Sequence, residues 1–126
     1  MITVYGINNC DTVKKALKWL TAENINYDFY DFKKQPLTAE LVQQFTQLSD
    51  WSQLLNKRST TYRNLTDNIK NNLTDDVAAE QVLLQPTLLK RPLLLIEDSE
   101  QGSLQGKQLH LGFKAQTYHD IFKAEK

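Results

Sequence analysis

The chain carries one cysteine, Cys10, and no other residue in it is better suited to covalent chemistry. Cys10 follows a short β-branched and aromatic stretch, Ile2-Thr3-Val4-Tyr5, and a loop, Gly6-Ile7-Asn8-Asn9. It directly precedes a segment with helical periodicity. The first N–H groups of a helix have no intrahelical partner and carry partial positive charge. A cysteine placed against them is favoured as thiolate, the nucleophilic form. Lys14 and Lys15 add positive charge within the first turns, and Asp11 opposes it. A lone free cysteine is also commonly a small buried hydrophobe. The strand-loop-cysteine-helix context tips the balance towards chemistry. A dithiol site would place its second cysteine at position 13, the C-x-x-C spacing, and Val13 stands there. Any disulfide of Cys10 is therefore expected with an outside thiol, glutathione or another protein.

Two further groups bear donors. Arg91-Pro92 directly precedes the apolar run Leu93-Leu94-Leu95-Ile96. A guanidinium there presents a fixed fork of donors to a carboxylate or oxyanion, and a solvated surface charge is an equal reading. Lys57, Arg58 and Arg63 are interleaved with Thr60, Thr61 and Tyr62. That mixture suits anion binding and equally suits a solvated loop. His110 and His119 are the only histidines and lack metal-ligand companions, so no metal site is expected. There is no Gly-rich phosphate loop and no nucleophile elbow.

The elements that position these residues follow from periodicity. Ile2 to Tyr5 reads as a buried strand. Val13, Ala16, Leu17 and Leu20 fall at i, i+3, i+4 and i+7, which predicts a helix from about Asp11 to Glu23 with Asn24 as its stop. Tyr27 to Phe32 suits a second strand, broken by Lys33-Lys34-Gln35-Pro36, so the first two strands are expected to be parallel across a crossover helix. Thr38 caps a helix bearing Leu41, Val42, Phe45 and Leu48. Trp51, Leu54 and Leu55 form a short helical face. Arg58 to Arg63 reads as a loop or single turn, and Leu65 to Leu73 as weak helix. Thr74-Asp75-Asp76 opens a helix that Pro86 ends. Leu93 to Ile96 reads as a central strand, residues 97–108 as a hairpin connection, and Gln108 to Leu111 as the return strand. Gly112 closes it, and a last helix aligns Ala115, Tyr118, Ile121 and Phe122. The order is an α/β, thioredoxin-like layout: a mixed sheet of about four strands, helices on both faces, and an inserted helical subdomain at about 38–85 between core segments at about 1–37 and 86–126. In that fold a cis-proline at the position of Pro92 faces the active cysteine and shapes the docking edge for a thiol substrate.

The 126 residues make a single domain. Fifteen basic and fifteen acidic side chains balance to zero, which excludes an overall basic field for nucleic acid. The longest apolar run, Pro92 to Ile96, is five residues, against the roughly 20 a membrane helix needs. The N-terminus shows no basic segment or cleavage site of a secretory signal, and one cysteine fits a reduced compartment, so a cytoplasmic location is expected.

Tyr5-Gly6-Ile7-Asn8-Asn9-Cys10-Asp11-Thr12-Val13-Lys14-Lys15-Ala16, Trp19-Leu20, Arg58-Ser59-Thr60-Thr61-Tyr62, Lys90-Arg91-Pro92-Leu93 and Leu111-Gly112-Phe113 together resemble the arsenate-reductase-like ArsC/Spx superfamily, most closely its YffB-type branch. The similarity runs over nearly the whole chain in order. It implies a thioredoxin-like core with a helical insertion, and Cys10 as the nucleophile. It also implies that Asn9, Arg58, Arg91 and Pro92 contact substrate or glutathione, with Pro92 as the family's cis-proline. Glutathione would be the co-substrate, no cofactor would be bound, and the substrate would be a thiol, disulfide or oxyanion. Two arsenate-reductase features differ: the histidine four residues before the cysteine is Gly6, and a third arginine after the last strand is replaced by Phe113. Both changes weaken oxyanion binding, so arsenate reduction is expected to be weak or absent. The Spx branch implies a different class, a regulator that binds the RNA polymerase α subunit.

Overall fold

The computed structural model describes residues 2–97 and 107–123. The chain divides into two compact units, Met1–Gln35 with Arg91–Lys126, and Pro36–Lys90.

The first unit is built on a mixed sheet of strands β1 (Ile2–Gly6), β2 (Asp28–Asp31), β3 (Leu93–Glu97) and β4 (Lys107–Leu111), in the order β2-β1-β3-β4. β1 runs parallel to β2 and antiparallel to β3, and β4 is antiparallel to β3. The parallel pair requires a crossover, which helix α1 (Asp11–Ala22) supplies. Its stripe of Val13, Ala16 and Leu20 is fully buried. The helix ends where Asn24 takes a left-handed φ of 60°, a conformation asparagine tolerates better than most residues. The final helix α7 (Ala115–Lys123) buries Tyr118.

Val4 and Leu94 are register partners, so their side chains share a face. With Ala16, Leu20 and Tyr118 they form the core of this unit, flanked by Trp19, Phe29, Phe113 and Phe122. Burying each leucine contributes roughly 1.5–3 kcal/mol. The Trp19 and Phe113 rings meet Tyr118 edge-on at 5.6 and 4.7 Å. α1 and α7 therefore both lie on one face of the sheet; the layout with helices on both faces is not what these two elements make. Each offers its apolar stripe to the same alternate residues of β1 and β3. The opposite face at β1 and β2 carries an aromatic group, with the Tyr5 ring 5.1 Å from Tyr30 and 6.2 Å from Phe32.

The second unit is helical: α2 (Ala39–Leu48), α3 (Trp51–Leu54), α4 (Thr60–Arg63), α5 (Asp67–Asn71) and α6 (Asp75–Leu84). Each begins on a side-chain cap. Thr38, Asp50, Ser59, Thr66 and Thr74 accept from the backbone N–H three residues on. α5 is shorter than the weak helix read over Leu65 to Leu73, because the run of asparagines at its end is poor helix. Pro86 ends α6 as expected: the helix stops at Leu84, the pre-proline residue Gln85 is its non-helical C-cap, and Pro86 itself opens a 3-10 turn, Pro86–Leu88. The exit segment pairs back within the unit: Leu55 bridges Leu89, the Asn56 N–H donates to the Leu88 carbonyl, and the Lys90 N–H donates to the Leu54 carbonyl. No helix among the described residues is long and apolar enough to cross a membrane. The hairpin connection expected after Glu97 lies outside the described residues.

Candidate active site

Sheet register gathers the chemistry at one end of the first unit. Tyr5 pairs with Leu93 and Gly6 with Asp31, so β1 and β2 both finish where β3 begins. The loop from Ile7 to Cys10 leaves β1 at this end. Arg91 and Pro92 enter β3 at the same end, and the Arg91–Pro92 peptide bond is cis. Leu93 pairs with Leu111, and the Gly112 N–H donates to the Pro92 carbonyl at 2.9 Å, which brings Gly112 and Phe113 there as well. Gly112 has a φ of 76°, a conformation that favours glycine.

Cys10 is the N-cap residue of α1, in extended conformation, and is partly exposed. Its N–H donates to the Ile7 carbonyl at 3.3 Å, closing the loop, and its carbonyl accepts from Lys14 N–H at 3.0 Å, opening the helix. Its side chain makes no cap hydrogen bond. The thiol thus stands at the start of the helix with its sulfur uncommitted, beside exposed Asn8 and Asn9. Val13 packs inward and is fully buried, so it belongs to the core.

Gly6 and Phe113 are packing positions. A Cβ on Gly6 would lie 2.8 Å from Val13 Cγ2, inside any normal carbon contact. Phe113 turns into the core against Tyr118. Arg91 is half-buried, and its Nε is sealed from solvent with no hydrogen-bond partner among the described residues. Such an orphan donor is costly unless something accepts from it.

Asn9, Cys10, Arg91 and Pro92 therefore share one end of one unit. Arg58 belongs to the helical unit, where it is exposed, its N–H donating to Asn56 Oδ1 and its carbonyl accepting from Arg63 Nη2. Lys70 Nζ donates to the Arg63 carbonyl and stands 5.6 Å from the centre of the Tyr62 ring. That unit also holds a cleft of about 390 Å³ among Val42, Trp51, Asp50, Asp75 and Asp76.

Sequence reading passed over Asp31. It is the buried charged side chain of the described residues, 5% exposed. Its Oδ1 accepts from Lys33 N–H at 2.9 Å, and its carbonyl accepts from Lys34 and Gln35 N–H. Its aspartate-after-aromatic position in β2 carried no local signal of burial.

Burial lowers the pKa of His110 on β4. On β1, burial pushes the Tyr5 phenol up to about 12, with the Glu97 carboxylate and Tyr30 adding to the effect, so Tyr5 stays protonated.

The ArsC family model matches residues 5–121. An uncharacterised protein of Haemophilus influenzae is 43% identical over 97% of this chain and 99% of its own length. The global transcriptional regulator Spx of Lactiplantibacillus plantarum is 27% identical, over 77% of this chain and 74% of its own. Among solved structures, a YffB protein superposes with a TM-score of 0.81 at 34% identity, covering 94% of this chain and 96% of its own. An arsenate reductase (ArsC) related protein from Brucella melitensis superposes with a TM-score of 0.73 at 41% identity, covering 97% and 94%. With a matching model over most of its length and this fold, the chain is a member of the ArsC family, in its YffB-type branch.

Proposed function

We propose that the protein is a glutathione-dependent monothiol thiol–disulfide oxidoreductase with Cys10 as its nucleophile. The observation that carries this reading is the placement of the only cysteine at the N-cap of α1, at the end of the sheet where Arg91 enters β3. In the first step Cys10 Sγ attacks a sulfur of a substrate–glutathione disulfide. The substrate S–S bond breaks, a Cys10–glutathione bond forms, and the substrate leaves as thiolate. In the second step the thiolate of a second glutathione attacks that bond, releases oxidised glutathione and restores Cys10. The absence of a partner cysteine makes the outside thiol necessary. Arg91 offers its unpaired donors to a carboxylate of glutathione, while Asn9 and Pro92 line the same end. Arg58 is the remaining residue that the family likeness nominates for glutathione.

Incubation with oxidised glutathione followed by intact mass tests this reading. A single glutathione adduct, absent in Cys10→Ser, is expected, together with glutathione-coupled turnover of a disulfide that the same substitution abolishes. No adduct on the wild type would remove the reading.

The Spx relatives support a second reading, docking on the RNA polymerase α subunit. The exposed Leu83 and Leu84 on α6 offer an apolar contact for it. Capture of the α C-terminal domain equally by wild type and Cys10→Ser, without disulfide turnover, would favour the regulator.

A further inference from the structure

The residues gathered at the Cys10 end of the sheet carry a charge pattern that the overall balance conceals. Lys33 and Lys34 follow β2, Arg91 enters β3, and Lys114 follows Phe113, against Asp11 and the buried Asp31. All three of these lysines are exposed. The chain as a whole has zero net charge, so this end is locally cationic.

The two neighbouring lysines sit on a built turn. Asp31 Oδ1 accepts the Lys33 N–H at 2.9 Å, and the Asp31 carbonyl accepts both the Lys34 and Gln35 N–H groups, at 2.9 and 2.8 Å. The Phe32 N–H donates to the Gly6 carbonyl at 2.8 Å, tying the turn to the strand that leads to Cys10. Asp31 therefore spends its carboxylate on the turn's backbone and forms no ion pair with either lysine among the described residues. Both ammonium groups remain available to a ligand. Arg91 Nε, buried and unpartnered, is an independent sign that an acceptor belongs at this end.

We infer that Lys33 and Lys34, held by the Asp31 turn, form with Arg91 an anion subsite that selects disulfides carrying carboxylates. This rests on the oxidoreductase reading and names its substrate class. Lysines on a rim act chiefly on encounter and salt dependence, whereas the half-buried guanidinium holds the docked carboxylate. The subsite takes no part in electron flow. Cys10 Sγ still bonds to one disulfide sulfur while the other leaves as thiolate.

The experiment follows adduct formation on Cys10 by stopped alkylation and intact mass, using glutathione disulfide (anionic), 2-hydroxyethyl disulfide (neutral) and cystamine (cationic). In Lys33→Gln/Lys34→Gln the ratio of the glutathione-disulfide rate to the hydroxyethyl-disulfide rate is expected to fall about five-fold, two surface ion pairs' worth. The wild-type ratio is expected to fall likewise as salt rises from about 0.02 M to about 0.5 M, where exposed charges are screened. Lys33→Glu/Lys34→Glu is expected to raise cystamine relative to glutathione disulfide. Reaction of Cys10 with all three probes at ratios that neither salt nor these substitutions alter would overturn the subsite and leave the oxidoreductase reading standing. No reaction with any probe would overturn both.

Discussion

Gly6 and Val13 are locked together: a Cβ on the glycine would stand 2.8 Å from Val13 Cγ2, and Val13 is fully buried and stiff at its β-branch. The last residue of β1 and the first buried residue of α1 thus share one volume. A histidine at position 6 and a valine at position 13 exclude each other unless the helix shifts.

Gly6→Ala is expected to destabilise the fold by about 1–3 kcal/mol through overpacking. In Gly6→Ala/Val13→Ala the loss should be less than the sum of the two single losses, because the alanine at 13 vacates the clashing methyl groups. Urea unfolding of the four proteins reads the coupling. Strictly additive losses would refute the shared volume.

Arsenate turnover by the pure protein with glutathione is expected to be weak or absent. Gly6 cannot carry a side chain without displacing Val13, and Phe113 gives its ring to Tyr118. Phe113→Arg should lower the melting temperature without creating activity, since it removes an aromatic contact worth about 0.5–1.5 kcal/mol beyond its area. A reductase assay with arsenate as sole oxidant measures this; brisk turnover by the wild type would contradict it.

Tyr118 is 1% exposed, and its hydroxyl has no hydrogen-bond partner among the described residues. Burial drives its pKa well up, which keeps it neutral. Tyr118→Phe is expected to be neutral or stabilising by up to about 1–3 kcal/mol, the cost of leaving a polar group unpaired. Tyr118→Ala should cost about 3–5 kcal/mol. Calorimetry of both variants separates the ring's packing from its oxygen; a large loss in the phenylalanine variant would mean the hydroxyl is bonded.

His110 titrates below 6.5 in the folded chain because burial disfavours its charge. Its unfolded form takes up a proton first as pH falls. The contribution to stability is therefore full above the unfolded value and is lost as pH drops through the lower folded value. The melting temperature should decline from about pH 7 to about pH 5, and His110→Gln should flatten part of that slope. A slope unchanged in the variant would assign it to carboxylates instead.

Local signals were enough for the elements that hold the thiol. The β-branched start, the i, i+3, i+4, i+7 stripe of α1 and the capping Thr38 and Thr74 all encode structure through neighbours a turn or a strand pair away, and so did the place of Cys10 at a helix start. The departure came at an end where several weak preferences compete, where asparagines shorten α5. What tertiary structure alone decided is which distant segments meet. Register set Tyr5 against Leu93 and Leu93 against Leu111, across connections that no periodicity describes. That pairing brought Arg91 and Gly112 to the Cys10 end and both helices onto one face. It also gave Asp31 and Lys33-Lys34 their meaning: a carboxylate becomes buried, and two lysines come to the end of the sheet from which the Cys10 loop leaves, only when β2 lies in register beside β1. Burial and proximity are properties of the folded chain, because both are set by contacts between residues far apart along it.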